Sequence, residues 1–135
     1  MFDRIYVAAS ALIYGGIGVA CLVAPEALLA PVHVRPDDAV GVVELRAMYG
    51  GLEVGMAVFL LWCLRTGQTR PGVVAAWASI GALGLVRGVA WVMAGAPPSL
   101  HPWLLLAEGT ALVLGPLAYR SSAAPSVATG FGGGA

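Results

Sequence analysis

The sequence predicts an all-α, polytopic membrane protein: an antiparallel bundle of four transmembrane helices with both termini on the cytoplasmic side. Three observations carry this expectation. The 135-residue chain is 59% hydrophobic and only 10% charged, with a mean hydropathy of +0.87, whereas a soluble domain carries about 25% charged residues. The apolar residues gather into four runs, each near the ~20 residues a helix needs to cross a bilayer. All seven basic residues are arginine, and their placement is asymmetric along the chain.

The runs fall at residues 5–24, 39–64, 73–95 and 103–119, which makes residues 1–120 one transmembrane domain. Arg4, Arg65, Arg70 and Arg120 flank the N-terminus, the second loop and the end of the fourth run. The first loop mixes Arg35 with Glu26, Asp37 and Asp38, and the third loop, APPSLHP, has no arginine. By the positive-inside rule this places the first and third loops outside. The lipid bilayer is the expected principal partner. The first run is longer than a signal-peptide core and no good A-x-A site follows it, so it is read as a retained helix. A formal net charge of zero without a basic cluster excludes nucleic-acid binding.

Between the runs, Pro25, Pro31 and Pro36 break the first loop, and EALLAPV suits a short interfacial turn. RTGQTRPG is a tight polar turn with Pro71 placed to start the third helix. The tail, residues 121–135, is Ser-, Ala- and Gly-rich and reads as disordered. Cys21 and Cys63 fall at opposite ends of their helices, too far apart for a disulfide, and no spacing suggests a metal or a cofactor. Gly51/Gly55 and Gly84/Gly88 are GxxxG pairs, and Gly15, Gly16 and Gly18 cluster in the first run. They suit tight packing inside one bundle, and they equally suit a homodimer face. Trp62, Trp77, Trp103, Tyr6 and Tyr119 read as interfacial belt residues.

The second run, in ELRAMYGGLEVGMAVFLLW, carries charge where lipid disfavours it. A charged side chain at the membrane centre costs at least ~2.5–3.5 kcal/mol on insertion scales. At 1.5 Å per residue, Arg46 lies roughly 10 Å and Glu53 roughly 20 Å inside the outer end of its helix. Arg87 lies roughly 12 Å and Glu108 roughly 8 Å below the outer ends of theirs. Arg46, Tyr49, Gly50 and Glu53 share one α-helical stripe, Arg87 shares one with Gly84 and Trp91, and Glu108 shares one with His101, Leu104 and Leu105. Converging stripes would place a charge-balanced polar layer in the outer half. Glu44 points away and reads as interfacial.

ELRAMYGGLEVG, with LVRGVAW in the third run and LLLAEG in the fourth, resembles a family of small bacterial four-helix membrane proteins classed only as a domain of unknown function. The most specific element is R-x-x-Y-G-G-x-E, here Arg46, Tyr49, Gly50, Gly51 and Glu53. The layout is also loosely similar to DoxX-like four-helix proteins, some of which are associated with membrane oxidoreductase systems. The resemblance implies a fold and a location in the bacterial inner membrane, and leaves the chemistry to the residues.

Three functional readings follow from those residues. The first is a pocket for a small amphiphilic ligand, with Arg46, Arg87, Trp91 and His101 binding it. Glu53, Tyr49 and Glu108 would supply acid–base chemistry of the isomerase or cyclase type if the pocket is catalytic. The second is a structural or accessory subunit whose buried ion pairs fix helix packing. The third is a small proton-coupled transporter using Glu53. The sequence holds no nucleophile triad, metal cluster or phosphate loop.

Overall fold

The computed structural model describes residues 1–95 and 101–122, with the His101 side chain outside the described set. Residues 96–100 of the third loop and 123–135 of the tail expected to be disordered lie outside the described residues, and His101 and Pro102, expected in that loop, begin the last helix. The helices are α1 (Phe2–Val23), α2 (Pro25–Leu29), α3 (Ala39–Leu45), a π-helical segment (Arg46–Gly51), α4 (Leu52–Arg65), α5 (Thr69–Met93) and α6 (His101–Ser121). The α3, π and α4 segments run on without a break, so four helices are long and apolar enough to cross a membrane: Phe2–Val23, Ala39–Arg65, Thr69–Met93 and Pro102–Ser121.

Helix α1 places Val7, Ala11, Tyr14, Gly18 and Cys21 on one face through alternating steps of four and three residues. That face packs inward, while Leu12, Ile13, Ile17 and Val19 stay exposed on the sides that lipid would cover. Pro25 starts α2, where its missing N–H costs nothing. The expected interfacial turn is this short helix, continued by one 3-10 turn at Ala30–Val32. Asp38 caps α3 by accepting a hydrogen bond from the Gly41 amide at 2.8 Å.

The π-segment differs from the regular helix expected across this span. The Leu52 amide bonds to the Ala47 carbonyl, five residues back instead of four. The segment and the start of α4 pack on the C-terminal part of α1, where two glycines make the contact. A Cβ on Gly50 would meet the Leu22 side chain at 2.7 Å, and one on Gly18 would meet the Val54 backbone nitrogen at 2.8 Å. Small residues thus bring the two backbones together, as expected in lipid, where apolar burial supplies little drive.

All four transmembrane helices share one core, and it is confined to the end of the bundle that carries the chain's first residues. It consists of Tyr6, Val7, Ala11, Leu60, Val73, Ala76 and Ala118. Polar ties close the same end. The Asp3 carboxylate accepts from Thr69 Oγ1 at 2.5 Å, the Asp3 amide donates to Ser121 Oγ at 3.0 Å, and Tyr6 Oη donates to the Ala111 carbonyl at 3.2 Å. In the other half this shared core is missing. The buried residues of α5 are Thr69, Gly72, Val73 and Ala76, all in its first eight positions. Those of α4 are Ala57, Leu60 and Cys63. The most extensive helix contacts are made within two groups, α1 against the π-segment and α4, and α5 against α6.

Candidate functional site

The two helix pairs distribute the charged residues differently from a single converging layer. On α5 and α6, Arg87 Nε donates to both oxygens of Glu108, at 2.9 and 3.1 Å. Gly84 makes room for this carboxylate: a Cβ there would lie 3.1 Å from Glu108 Cβ. The pair is mostly enclosed, with 21% of the Arg87 side chain and 11% of the Glu108 side chain exposed. Trp91, one turn beyond Arg87, is half-buried. It borders an open apolar groove with Gly84, Gly88 and Leu105.

On the other pair, Arg46 and Tyr49 are exposed and Glu53 is half-buried. The single stripe expected for Arg46, Tyr49 and Glu53 assumed 3.6 residues per turn throughout. The π-segment spans Arg46–Gly51 and widens the turn there, so the stripe is broken between Arg46 and Glu53. Glu53 instead sits against α1, its Cβ 3.0 Å from the Cβ that Gly18 would carry. Tyr14 and Cys21 flank Gly18 on the inward face of α1. Among the described residues neither Arg46 nor Glu53 has an ion-pair partner. The structure thus brings Arg87 and Glu108 together, keeps Trp91 beside them, and leaves Arg46 and Tyr49 on the outside.

Two polar contacts were not foreseen from the sequence. Tyr14 Oη and Ser79 Oγ share a hydrogen bond of 2.6 Å between α1 and α5. Ser79 also donates to the Ala75 and Ala76 carbonyls in alternative geometries, so in that arrangement Tyr14 is the donor to Ser79. This bridge lies just past the shared core. From there, Glu53 lies roughly 10 Å beyond Leu60 along α4, and Gly84, against which Glu108 packs, lies roughly 12 Å beyond Ala76 along α5. Glu53 and the Arg87–Glu108 pair therefore occupy similar depths on two separate supports, with the Tyr14–Ser79 bridge beneath them.

The second contact is between Trp77 and α6. Pro116 has no amide hydrogen, so the Leu112 carbonyl four residues before it loses its helical partner. Trp77 Nε1 donates to that oxygen at 3.0 Å. The indole lies directly over Gly115, where any side chain would collide with it. Trp77 is therefore a lock between α5 and α6, a role that a reading based on belt position alone does not reveal. Proline in a membrane helix is tolerated when a neighbour satisfies the freed carbonyl, and here the neighbour is identified.

The glycine pairs also divide. Gly84 and Gly88 face Glu108 and Leu105 within the chain, whereas a Cβ on Gly55 would meet nothing within 4 Å. Cys21 and Cys63 are both free and buried. Among the described residues no group of three His, Cys, Asp or Glu side chains is placed to hold a metal ion.

Comparison with known proteins adds one decisive finding. Residues 2–120 match the family model described as Domain of unknown function (DUF4345). The chain belongs to this family. The match takes in every transmembrane helix, so the inner core, the π-segment and both charged elements lie within the DUF4345 domain. No curated protein and no solved structure shows significant similarity to the chain.

Proposed function

We propose that this DUF4345 protein is a multi-pass protein of the bacterial inner membrane, with cytoplasmic termini, that binds a small amphiphilic molecule in its outer half against Glu53. The observation that carries the reading is the half-buried Glu53 carboxylate, which has no ion-pair or hydrogen-bond partner among the described residues. It stands about halfway along its helix, beyond the level where the shared four-helix core ends. An ionisable group at that depth is expensive to keep and is by default functional. Leu52 and Val58, exposed on the same helix, suit a hydrocarbon moiety, and Glu53 offers an acceptor for a hydroxyl or amine on the same molecule.

Acid–base chemistry of the isomerase or cyclase type is the further step of this proposal. Glu53 would move the proton, with Tyr14 one turn from Gly18, the residue of α1 that Glu53 packs against. Arg46 and Tyr49, at the outer face of the π-segment, would meet the ligand on entry rather than at its final position. For Arg87 and Glu108 the geometry favours the structural reading. The guanidinium is already held by both carboxylate oxygens in a niche made by Gly84, so the pair fixes α5 against α6 as one wall.

The test is to purify wild-type and Glu53→Gln protein in mild detergent and compare co-purifying amphiphiles by native mass spectrometry. Losing one charge-assisted hydrogen bond costs about 1.5–3 kcal/mol, so retention should fall by roughly 10- to 100-fold. Equal retention in both proteins would refute the proposal.

A further inference from the structure

A second feature lies at the opposite end of the bundle and is independent of the Glu53 reading. Between α5 and α6 runs a half-open groove of about 260 Å³. Its walls are Val73, Val74, Trp77 and Pro116, and its mouth is formed by Tyr119 and Arg120. The groove is fixed by the helix chemistry described above: Pro116 frees the Leu112 carbonyl, and Trp77 is held by it. At the mouth, the Arg70 guanidinium carbon stands 4.9 Å from the Tyr119 ring centroid, a cation–π contact. Arg70 Nε is nevertheless buried and has no hydrogen-bond acceptor among the described residues.

The acid nearest this end in sequence, Asp3, does not neutralise the arginines. Its carboxylate is engaged by Thr69. Arg120, which lines the groove, and Arg70, which stands over the lining residue Tyr119, therefore have no ion-pair partner among the described residues. An apolar slot aligned with the helices and capped by two cations is complementary to one kind of molecule. We infer that this groove is a binding site for an anionic phospholipid, with one acyl chain along Val73, Trp77 and Pro116 and the phosphate on Arg70 and Arg120. A free phosphate would use the arginines and leave the slot empty. A zwitterionic lipid would bring its own cation to the same place. Basic pockets between transmembrane helices are suited to anionic headgroups on general electrostatic grounds.

The test uses the full chain in vesicles containing either brominated phosphatidylglycerol or brominated phosphatidylcholine, whose bromines quench nearby indoles. The Trp77 contribution is the difference between wild type and Trp77→Phe. Each arginine that reaches the phosphate should favour the anionic lipid about fivefold. Half-quenching of Trp77 should therefore need at least about fivefold less brominated phosphatidylglycerol than phosphatidylcholine. In Arg70→Gln/Arg120→Gln the two lipids should become equivalent. A readout that keeps Trp77 intact is retention of each lipid by detergent-purified wild-type protein in native mass spectrometry, and it should give the same order. Equal quenching by the two lipids, equal retention of them, or a preference that survives the double substitution would each overturn the inference.

Discussion

Separating Arg87 from Glu108 should be costly, while replacing both should not. The pair is enclosed, with Nε within 3.1 Å of both carboxylate oxygens, and it lies in the half of the bundle that lacks the shared core. Arg87→Met leaves the Glu108 carboxylate in an apolar seam against Gly84, and Glu108→Leu leaves the guanidinium there instead. Breaking a buried pair costs about 3–5 kcal/mol, and insertion scales put a lone charge at ~2.5–3.5 kcal/mol. The residual exposure of both side chains favours the lower end, about 3 kcal/mol for either single change. The double change Arg87→Met/Glu108→Leu removes both charges while keeping similar volume, so it should cost no more than about 1 kcal/mol. The assay is a double-mutant cycle from reversible unfolding in mixed micelles, followed by circular dichroism. If the double change costs the sum of the singles, near 6 kcal/mol, the groups do not compensate one another and the wall assigned to α5 and α6 is wrong. Single changes near zero would show both groups solvated.

Two further outcomes follow from contacts that only the folded chain reveals. Gly18→Ala should destabilise by about 1–3 kcal/mol, because its Cβ would meet the Val54 backbone, which cannot turn aside. Gly16→Ala, with nothing within 4 Å of its Cβ, should be neutral or slightly stabilising; thermal unfolding of the two variants provides the comparison. Trp77→Phe should lose about 1 kcal/mol in the wild-type background by orphaning the Leu112 carbonyl. In a Pro116→Ala background the restored helical amide can take that carbonyl, so the same substitution should cost less there, which the corresponding unfolding cycle measures.

The helices were legible because lipid solvation acts on long runs: four apolar stretches and a few arginines suffice to set their number and approximate ends. What the runs do not encode is how tightly the helices associate at each depth. Val73 and Ala76 are buried among four helices, whereas Val86 and Val89, of the same character and on the same helix, are exposed. The difference comes from which small residues face one another, and hydropathy is blind to it. The candidate site was partly legible for the same reason. Arg87 and Glu108 stood out as opposite charges at similar depth, and they meet. Arg46 and Glu53 looked equally suited, but the π-segment breaks their shared stripe, and RAMYGG carries no sequence signal for that geometry beyond its adjacent glycines. Tyr14 and Ser79 were missed because each is unremarkable alone. Only the meeting of α1 with α5 makes them a pair. The Trp77 lock did carry a signal, since a proline inside a transmembrane helix always leaves one carbonyl to be satisfied.

The two carboxyl groups in the half away from the shared core are assigned different roles, Glu53 open to a ligand and Glu108 committed to Arg87. A hydrophobic carbodiimide, which enters apolar clefts and couples to carboxyl groups there, measures this directly. With the protein in bilayers and the products mapped by peptide mass spectrometry, the account predicts modification at Glu53, none at Glu108, and new modification at Glu108 in Arg87→Met. Equal modification of Glu53 and Glu108 in the wild type, or protection of Glu53 alone, would contradict it.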